Sequence, residues 1–219
     1  MRYLFFFVLQ IVSALGMLTL HSDLPSPYNQ VSPLLPFNDF GWYGNETLME
    51  ELIQNRNVTT IIEVGSLLGK STRHLAASLP IGGHVYAVDH WLGSAEHQQG
   101  QWAPLPIPLD QMYNAFLSNV IHANLTDVII PIRKPSLEAA STLDVMADLI
   151  FIDASHDTES VLADLNAWYP HLKMGGVLVG DDMGWRSVRV AVQCFAKEHP
   201  ELLFEERCGL AIFYKDANR

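Results

Sequence analysis

Acidic side chains end two strand-like runs in the second half of the sequence. Asp153 ends DLIFID, and Asp181 and Asp182 end GGVLVGDD. If these runs are neighbouring parallel strands, the three carboxylates meet at one sheet edge, where their like charges repel unless a cation neutralises them. Oxygen ligands suit Mg²⁺, Mn²⁺ or Ca²⁺ better than zinc. We therefore predict a divalent-cation site, the alternative being that each carboxylate caps a helix or lies in a solvated turn.

His156 follows Asp153 by three residues, just beyond the strand. An imidazole, with an unperturbed pKa of about 6.5, can remove a proton near neutral pH. We predict a general base here, the alternative being a surface or packing histidine.

The Pro-rich stretch 91–109 is predicted to fold over the site, with His97 and Trp102 as substrate contacts. The alternative is that this stretch is a surface connection without a role in the site.

A glycine-containing turn follows the strand-like run TTIIEVG and leads into a helical pattern. Gly65 and Gly69 allow the backbone to turn tightly and to approach a ligand, while Ser66 and Ser71 add hydroxyls near the start of the helix. Asp89 ends the next strand-like run and is placed to accept hydrogen bonds from ribose hydroxyls. This pairing indicates a nucleoside cofactor. The G-x-G-x-x-G pattern of dinucleotide enzymes is absent, which disfavours a nicotinamide oxidoreductase.

Helical and strand-like patterns alternate from residue 45 onward. The strand-like runs are TTIIEVG, HVYAVD, DVIIPI, DLIFID and GGVLVGDD, and helical patterns separate them. The last segment, LLFEERCGLAIFYK, is typical of an antiparallel strand pair. We therefore predict a doubly wound α/β fold, with a mostly parallel, Rossmann-like sheet, a C-terminal antiparallel pair and helices on both faces.

Taken in order, these motifs resemble the class I S-adenosylmethionine-dependent methyltransferases. Within that class they are similar to the metal-dependent O-methyltransferases of catechol type and the related macrocin and cephalosporin-cluster enzymes. The resemblance extends from about residue 50 to 214 and rests on the segments EVGSLLGKS, RKPSLEAA, DLIFIDASH and GDDM. It implies S-adenosylmethionine as the cofactor and a small-molecule hydroxyl as the methyl acceptor.

The same resemblance implies roles for individual residues. Glu63 and Ser71 would hold the methionine end of the cofactor, and Ser136 would lie beside adenine and cap the next helix. The full implied cofactor-binding set is Glu63, Gly65, Ser66, Gly69, Ser71, Asp89, Ser136 and Asp153. The implied metal ligands, for Mg²⁺ or another divalent cation, are Asp153, Asp181 and Asp182, and the catalytic residues are Asp153 and His156. His156 stands where the catechol branch has a lysine, so catechols are not assumed as acceptors.

The N-terminus differs in composition from the rest of the chain. Residues 3–20 carry no charged side chain and follow a single Arg2. This pattern predicts a signal peptide or membrane anchor over residues 1–22, which would export the domain or attach it to a membrane, the alternative being a cytoplasmic protein. Four prolines then predict a semi-extended linker over residues 23–44, before a methyltransferase domain over residues 45–219.

The overall charge limits the partners. The chain of 219 residues has 13 Lys and Arg against 24 Asp and Glu, a formal charge of −11. Nucleic-acid binding needs clustered basic residues, so we expect a small-molecule acceptor and no nucleic acid, and we leave open a homodimer.

Cys194 and Cys208 either pair or remain reduced core thiols. Two functions stay open: an active O-methyltransferase, or a non-catalytic nucleoside-binding or secreted interaction protein that retains the fold.

Overall fold

A seven-stranded sheet forms the centre of the molecule. The computed structural model describes residues 23–94 and 105–216. The strands are β1 (Thr60–Val64), β2 (His84–Asp89), β3 (Ile129–Arg133), β4 (Ala147–Ile152), β5 (Leu172–Gly180), β6 (Leu203–Arg207) and β7 (Leu210–Tyr214). Their order across the sheet is β3-β2-β1-β4-β5-β7-β6.

The first five strands are parallel, and β7 pairs antiparallel with both β5 and β6. This arrangement confirms the predicted doubly wound fold and its C-terminal antiparallel pair. The strand order reverses direction at β1 and β4, which is the position where doubly wound sheets bind ligands beyond the carboxyl ends of their strands.

Helices cover both faces of the sheet, each over its own hydrophobic core. The helices are α1 (Glu46–Asn55), α2 (Lys70–Ser78), α3 (Met112–His122), α4 (Ser136–Thr142), α5 (Thr158–Trp168) and α6 (Arg186–Glu198). Residues of α1, α2 and α3 share one core with Ile61 of β1, and residues of α4, α5 and α6 share the other with Ile62. Adjacent strand residues point to opposite faces, so one strand serves both cores. The parallel strands are therefore apolar on both sides.

The Pro-rich segment before α1, which we predicted as a semi-extended linker, packs on the domain. Tyr28 is buried, and its hydroxyl donates a hydrogen bond of 2.8 Å to the carbonyl oxygen of Ile129 in β3. The backbone N–H of Asn38 donates to Oδ1 of Asn119 in α3 at 2.8 Å. Prolines stiffen a chain but do not prevent its apolar side chains from being buried. The segment is thus part of the folded unit.

Other expectations from the termini and the cysteines concern different parts of the chain. The signal peptide or anchor over residues 1–22 and the contacts expected of His97 and Trp102 lie outside the described residues. Within residues 23–94 and 105–216, no helix has both the length and the apolar character needed to cross a bilayer. Cys194 and Cys208 are free and exposed, so they are neither paired nor core thiols.

Candidate active site

The turn after β1 is shaped by two glycines with positive φ angles. Gly65 has φ +95°, and a Cβ atom at this position would lie 2.0 Å from the carbonyl oxygen of Asp153. Asp153 N–H donates in turn to the carbonyl of Val64, so the end of β4 is held directly against the turn. Gly69, with φ +79°, stands at the N-cap of α2. Both positions disfavour a side chain, whether or not a ligand is bound.

Glu63 lies beneath this turn and is fully buried. Its carboxylate accepts hydrogen bonds from the hydroxyls of Ser71, at 2.6 Å, and Thr72, both in the first turn of α2. Burial raises the pKa of Glu63, and the two hydroxyl donors partly oppose that rise. Among the described residues that line the adjoining cavity, Ser71 is present and Glu63 is not. Glu63 therefore holds Ser71 and the first turn of α2 from beneath the cavity.

Asp89, at the end of β2, holds the turn from the other side. Its Oδ2 accepts from Leu67 N–H at 3.0 Å, and its Oδ1 accepts from Trp91 N–H at 2.6 Å. The indole N–H of Trp91 donates to the Leu67 carbonyl at 2.7 Å. Burial is the largest influence on Asp89 and raises its pKa, although the backbone donors act in the opposite direction. Asp89 lines the cavity, as its predicted ribose role requires.

Ser136 is the first residue of α4, and Pro135 occupies the cap position, so the predicted Ser136 cap is wrong. The Ser136 hydroxyl donates to Oδ1 of Asp164 in α5 at 2.5 Å and accepts from the indole N–H of Trp168 at 2.9 Å. These bonds join α4 to α5. The cap of α5 is Asp157, whose carboxylate accepts from Ser160 N–H, and not Asp153, the alternative that we considered for that carboxylate.

The carboxyl ends of β4 and β5 bring the predicted catalytic residues together. Nε2 of His156 lies 2.8 Å from Oδ2 of Asp182, and Oδ1 of Asp181 accepts from Asp182 N–H at 2.6 Å. Burial raises the pKa of Asp153 well above its usual range, and the charges of Asp181, Asp182 and Glu63 add to that effect. The carboxylates are therefore neighbours, as the sequence predicted.

Their arrangement does not fit the predicted divalent-cation site. Across the two described ranges, no group of three His, Cys, Asp or Glu side chains is disposed to hold a metal ion. The Asp182 carboxylate is turned to His156, and Asp181 bonds to the backbone of Asp182 and, at 3.4 Å, to the side-chain amide of Asn45.

One cavity of about 750 Å³ joins these parts. Of the predicted site residues it is lined by Gly65, Ser66, Ser71, Asp89, Ser136, Asp153, His156, Asp181 and Asp182, whereas Glu63 and Gly69 support it from outside. The nucleoside-type residues and the proposed base therefore share one space.

Several lining residues were not expected from the sequence. Phe40, Trp42 and Tyr43 reach the cavity from the segment before α1, and Trp185 reaches it from the loop before α6. The ring centroids of Trp185 and His156 are 5.4 Å apart. Trp42 and Trp185 are each about half exposed. The packing of the segment before α1 and of the loop before α6, and not a local sequence pattern, brings these aromatic side chains to the cavity.

Comparisons with known proteins agree with this architecture. The O-methyltransferase of Bacillus cereus, solved in complex with SAH, has 19% sequence identity and a TM-score of 0.59, and the match covers 91% of this chain and 97% of that one. The O-methyltransferase TomG of Streptomyces achromogenes, involved in tomaymycin synthesis and solved with SAM, has 16% identity, a TM-score of 0.59, and coverage of 92% and 96%. Cofactor-bound Rv0187 from MTB has 19% identity, a TM-score of 0.62, and coverage of 94% and 88%.

At these identities the solved structures establish the fold. A family model described as a methyltransferase domain matches residues 62–183, more than half of the chain, from β1 to the turn after β5. The matched region contains the glycine turn, Asp89, Ser136 and the His156–Asp182 pair. The chain is a member of this methyltransferase family.

Proposed function

We propose that the protein transfers a methyl group from S-adenosylmethionine to the hydroxyl of a small molecule. The observation that carries this proposal is the shared cavity, in which the nucleoside-type residues Ser71 and Asp89 and the base candidate His156 face one space. Solved structures with the same fold contain SAH or SAM, and two of them are O-methyltransferases. These likenesses support the cofactor and the reaction class.

The geometry of the turn supports a position for each part of the cofactor. Gly65, Ser66 and Ser71 would surround the methionine end. Asp89 would hold the ribose, where a carboxylate can accept hydrogen bonds from two hydroxyls. Glu63 fixes Ser71 from below through its 2.6 Å hydrogen bond. The sulfonium methyl group would then lie toward the ends of β4 and β5, near His156.

The acceptor hydroxyl is activated by the His156–Asp182 pair. Nδ1 of His156 is buried, so a hydroxyl reaches the ring on the Nε2 side, where Asp182 lies. An acceptor hydroxyl that displaces Oδ2 of Asp182 from Nε2 would give its proton to Nε2, and the Asp182 carboxylate beside the ring would stabilise the positive charge that the imidazole gains. S-adenosylmethionine, when bound, would supply the methyl group to the freed oxygen and leave as S-adenosylhomocysteine. The protein contributes position and a base, and the cofactor supplies the reactive methyl group.

Cofactor titration and methyl transfer test this function separately. Calorimetry should detect S-adenosylmethionine binding, and labelled methyl groups should appear in at least one member of a panel of hydroxyl compounds. Absence of cofactor binding would refute the proposal. Binding without transfer to any acceptor would instead favour the non-catalytic nucleoside-binding protein, which the exposed position of Trp42 and Trp185 beside the cavity also allows.

The N-terminal segment raises a separate proposal about location. Residues 1–22 act as a signal peptide or membrane anchor that places residues 23–219 outside the cytosol, because residues 3–20 are uncharged. Cell fractionation with N-terminal sequencing of the mature chain tests this. An intact N-terminus in the cytosolic fraction would contradict this location.

The proposed mechanism does not require a divalent cation, and treatment with a chelator tests whether one is involved.

A further inference from the structure

Asp164 is a buried carboxylate that the proposed mechanism does not use. It lies in α5, is 5% exposed, and lines the cavity with Ser136. Burial raises the pKa of Asp164 to about 6. Burial of a carboxylate without a cation is costly, so a buried carboxylate that lines a ligand cavity is a candidate for ligand binding.

The hydrogen bonds of Asp164 leave one oxygen for a ligand. Ser136 donates to Oδ1, and within residues 23–94 and 105–216 it is the one group that hydrogen-bonds this carboxyl. The Ser136 hydroxyl has a single proton, and that proton is used in this bond, while its oxygen accepts from Trp168. Ser136 therefore cannot also donate to a ligand without releasing Asp164. Oδ2 of Asp164, which belongs to the cavity lining, is therefore the carboxylate oxygen left for a ligand.

The order of the strands indicates that Ser136 and Asp164 lie near the adenine ring of a bound nucleoside. If Asp89 holds the ribose, as the proposed function requires, the sulfonium end points toward β4 and His156, and the base points to the opposite side of β2. That side leads to β3 and to the start of α4, because the order is β3-β2-β1-β4. Pro135 and Leu137 there line the cavity with exposed apolar surface, on which a flat ring can pack. Asp164 lines the same cavity and is hydrogen-bonded to Ser136, which lies between these two residues in the sequence.

We propose that Asp164 recognises adenine by accepting a hydrogen bond from its exocyclic amino group at Oδ2. This inference rests on the proposed function, since it assumes that the cavity binds an adenosyl cofactor. A carboxylate acceptor suits a 6-amino purine, which presents N–H donors at this edge, and it repels a 6-oxo purine, which presents an oxygen. Asp164 is thus a specificity-determining residue for the cofactor, and Ser136 and Trp168 hold its carboxylate in place.

The test compares S-adenosylhomocysteine with its 6-oxo analogue, S-inosylhomocysteine, by calorimetry. The wild-type protein should bind the adenine form at least about tenfold more tightly, as a hydrogen bond to a charged group allows. In Asp164→Asn the amide oxygen can still accept from Ser136, and the amide N–H₂ can donate to the 6-oxo group. The preference should therefore shrink or reverse in this nearly isosteric variant. Asp144→Asn, an exposed position outside the cavity, should keep the wild-type preference.

The outcomes separate the two proposals. Wild-type protein that binds neither compound refutes the proposed cofactor and this inference together. Wild-type protein that binds S-adenosylhomocysteine, with an unchanged preference in Asp164→Asn, overturns the role of Asp164 alone. Thermal unfolding of each variant confirms that the titrated protein is folded. Asp164→Ala gives a second measurement, because it should lose affinity for the adenine form without gaining any for the 6-oxo form.

Discussion

The Nε2 atom of His156 lies 2.8 Å from Oδ2 of Asp182, across the ends of two paired strands. The two residues are 26 positions apart in the chain, and the parallel pairing of β4 with β5 brings them together. Asp182 adopts φ +63°, a left-handed conformation that is uncommon for a residue other than glycine. A strained backbone that aims a carboxylate at an imidazole is typical of a functional site.

Removal of either member of this pair should slow methyl transfer. We expect His156→Gln and Asp182→Asn to lower kcat by about 10²- to 10⁴-fold, the usual contribution of a positioned base. Affinity for S-adenosylmethionine should change little, because the ribose and methionine contacts are elsewhere. Single-turnover methyl transfer at saturating cofactor measures the effect. His84→Gln, at the far end of β2, is the matched control, and equal activity in all four proteins would exclude the pair from catalysis.

Chelation should not affect the reaction. The Asp182 carboxylate is engaged with His156, and Asp181 with the backbone of Asp182, so the sheet edge lacks an arrangement of three ligands among the described residues. We expect the same initial rates before and after dialysis against EDTA. Added Mg²⁺ or Mn²⁺ should not raise them. If EDTA abolished the activity and either metal recovered it, the result would support the cation site predicted from the sequence.

Much of the fold follows from local patterns, and much of the site follows from the fold. The run HVYAVD predicts β2 with its observed bounds, because a buried parallel strand is a short apolar run that ends at a polar residue. Asp89 and His156 could be identified for the same reason, since the carboxyl ends of strands are known once the strands are known.

Contacts between distant elements could not be read in the same way. Asp164 lies inside the helical pattern TESVLADLNAW, where an acidic residue usually faces solvent, and its burial depends on how α4 packs on α5. Tyr28 stands among prolines, which indicate an extended chain but not what that chain lies against. Its partner, the Ile129 carbonyl, is 101 residues away. The side-chain directions do not support the metal prediction, because the proximity of Asp181 and Asp182 does not determine where their oxygens point.

The packing of the segment before α1 predicts a loss of stability when Tyr28 loses its hydroxyl. In Tyr28→Phe the Ile129 carbonyl is left buried without this donor, which should cost about 1–3 kcal/mol of unfolding free energy. Tyr169→Phe removes an exposed hydroxyl from Glu201 and should stay within about 0.5 kcal/mol of the wild type. Urea unfolding measures both. Equal stabilities would show that the segment contributes as a loose linker would.

Asp164 should make the apoprotein less stable as the pH rises. Its pKa is raised by burial from an ordinary 3.8 to about 6, so the folded state binds its proton more tightly than the unfolded state. The stabilising contribution of the protonated form is complete below pH 3.8 and is lost as the pH rises through 6. That shift corresponds to about 3 kcal/mol. Asp164→Asn, which carries no charge, should therefore be more stable than the wild type at pH 7.5, and the difference should shrink toward pH 4.

Urea unfolding from pH 4 to pH 7.5 measures this difference in stability, with Asp144→Asn as the control. A constant difference between the proteins at every pH would mean that Asp164 ionises in the folded apoprotein as an exposed carboxyl does, and the stability cost attributed to its position beside the cavity would not exist.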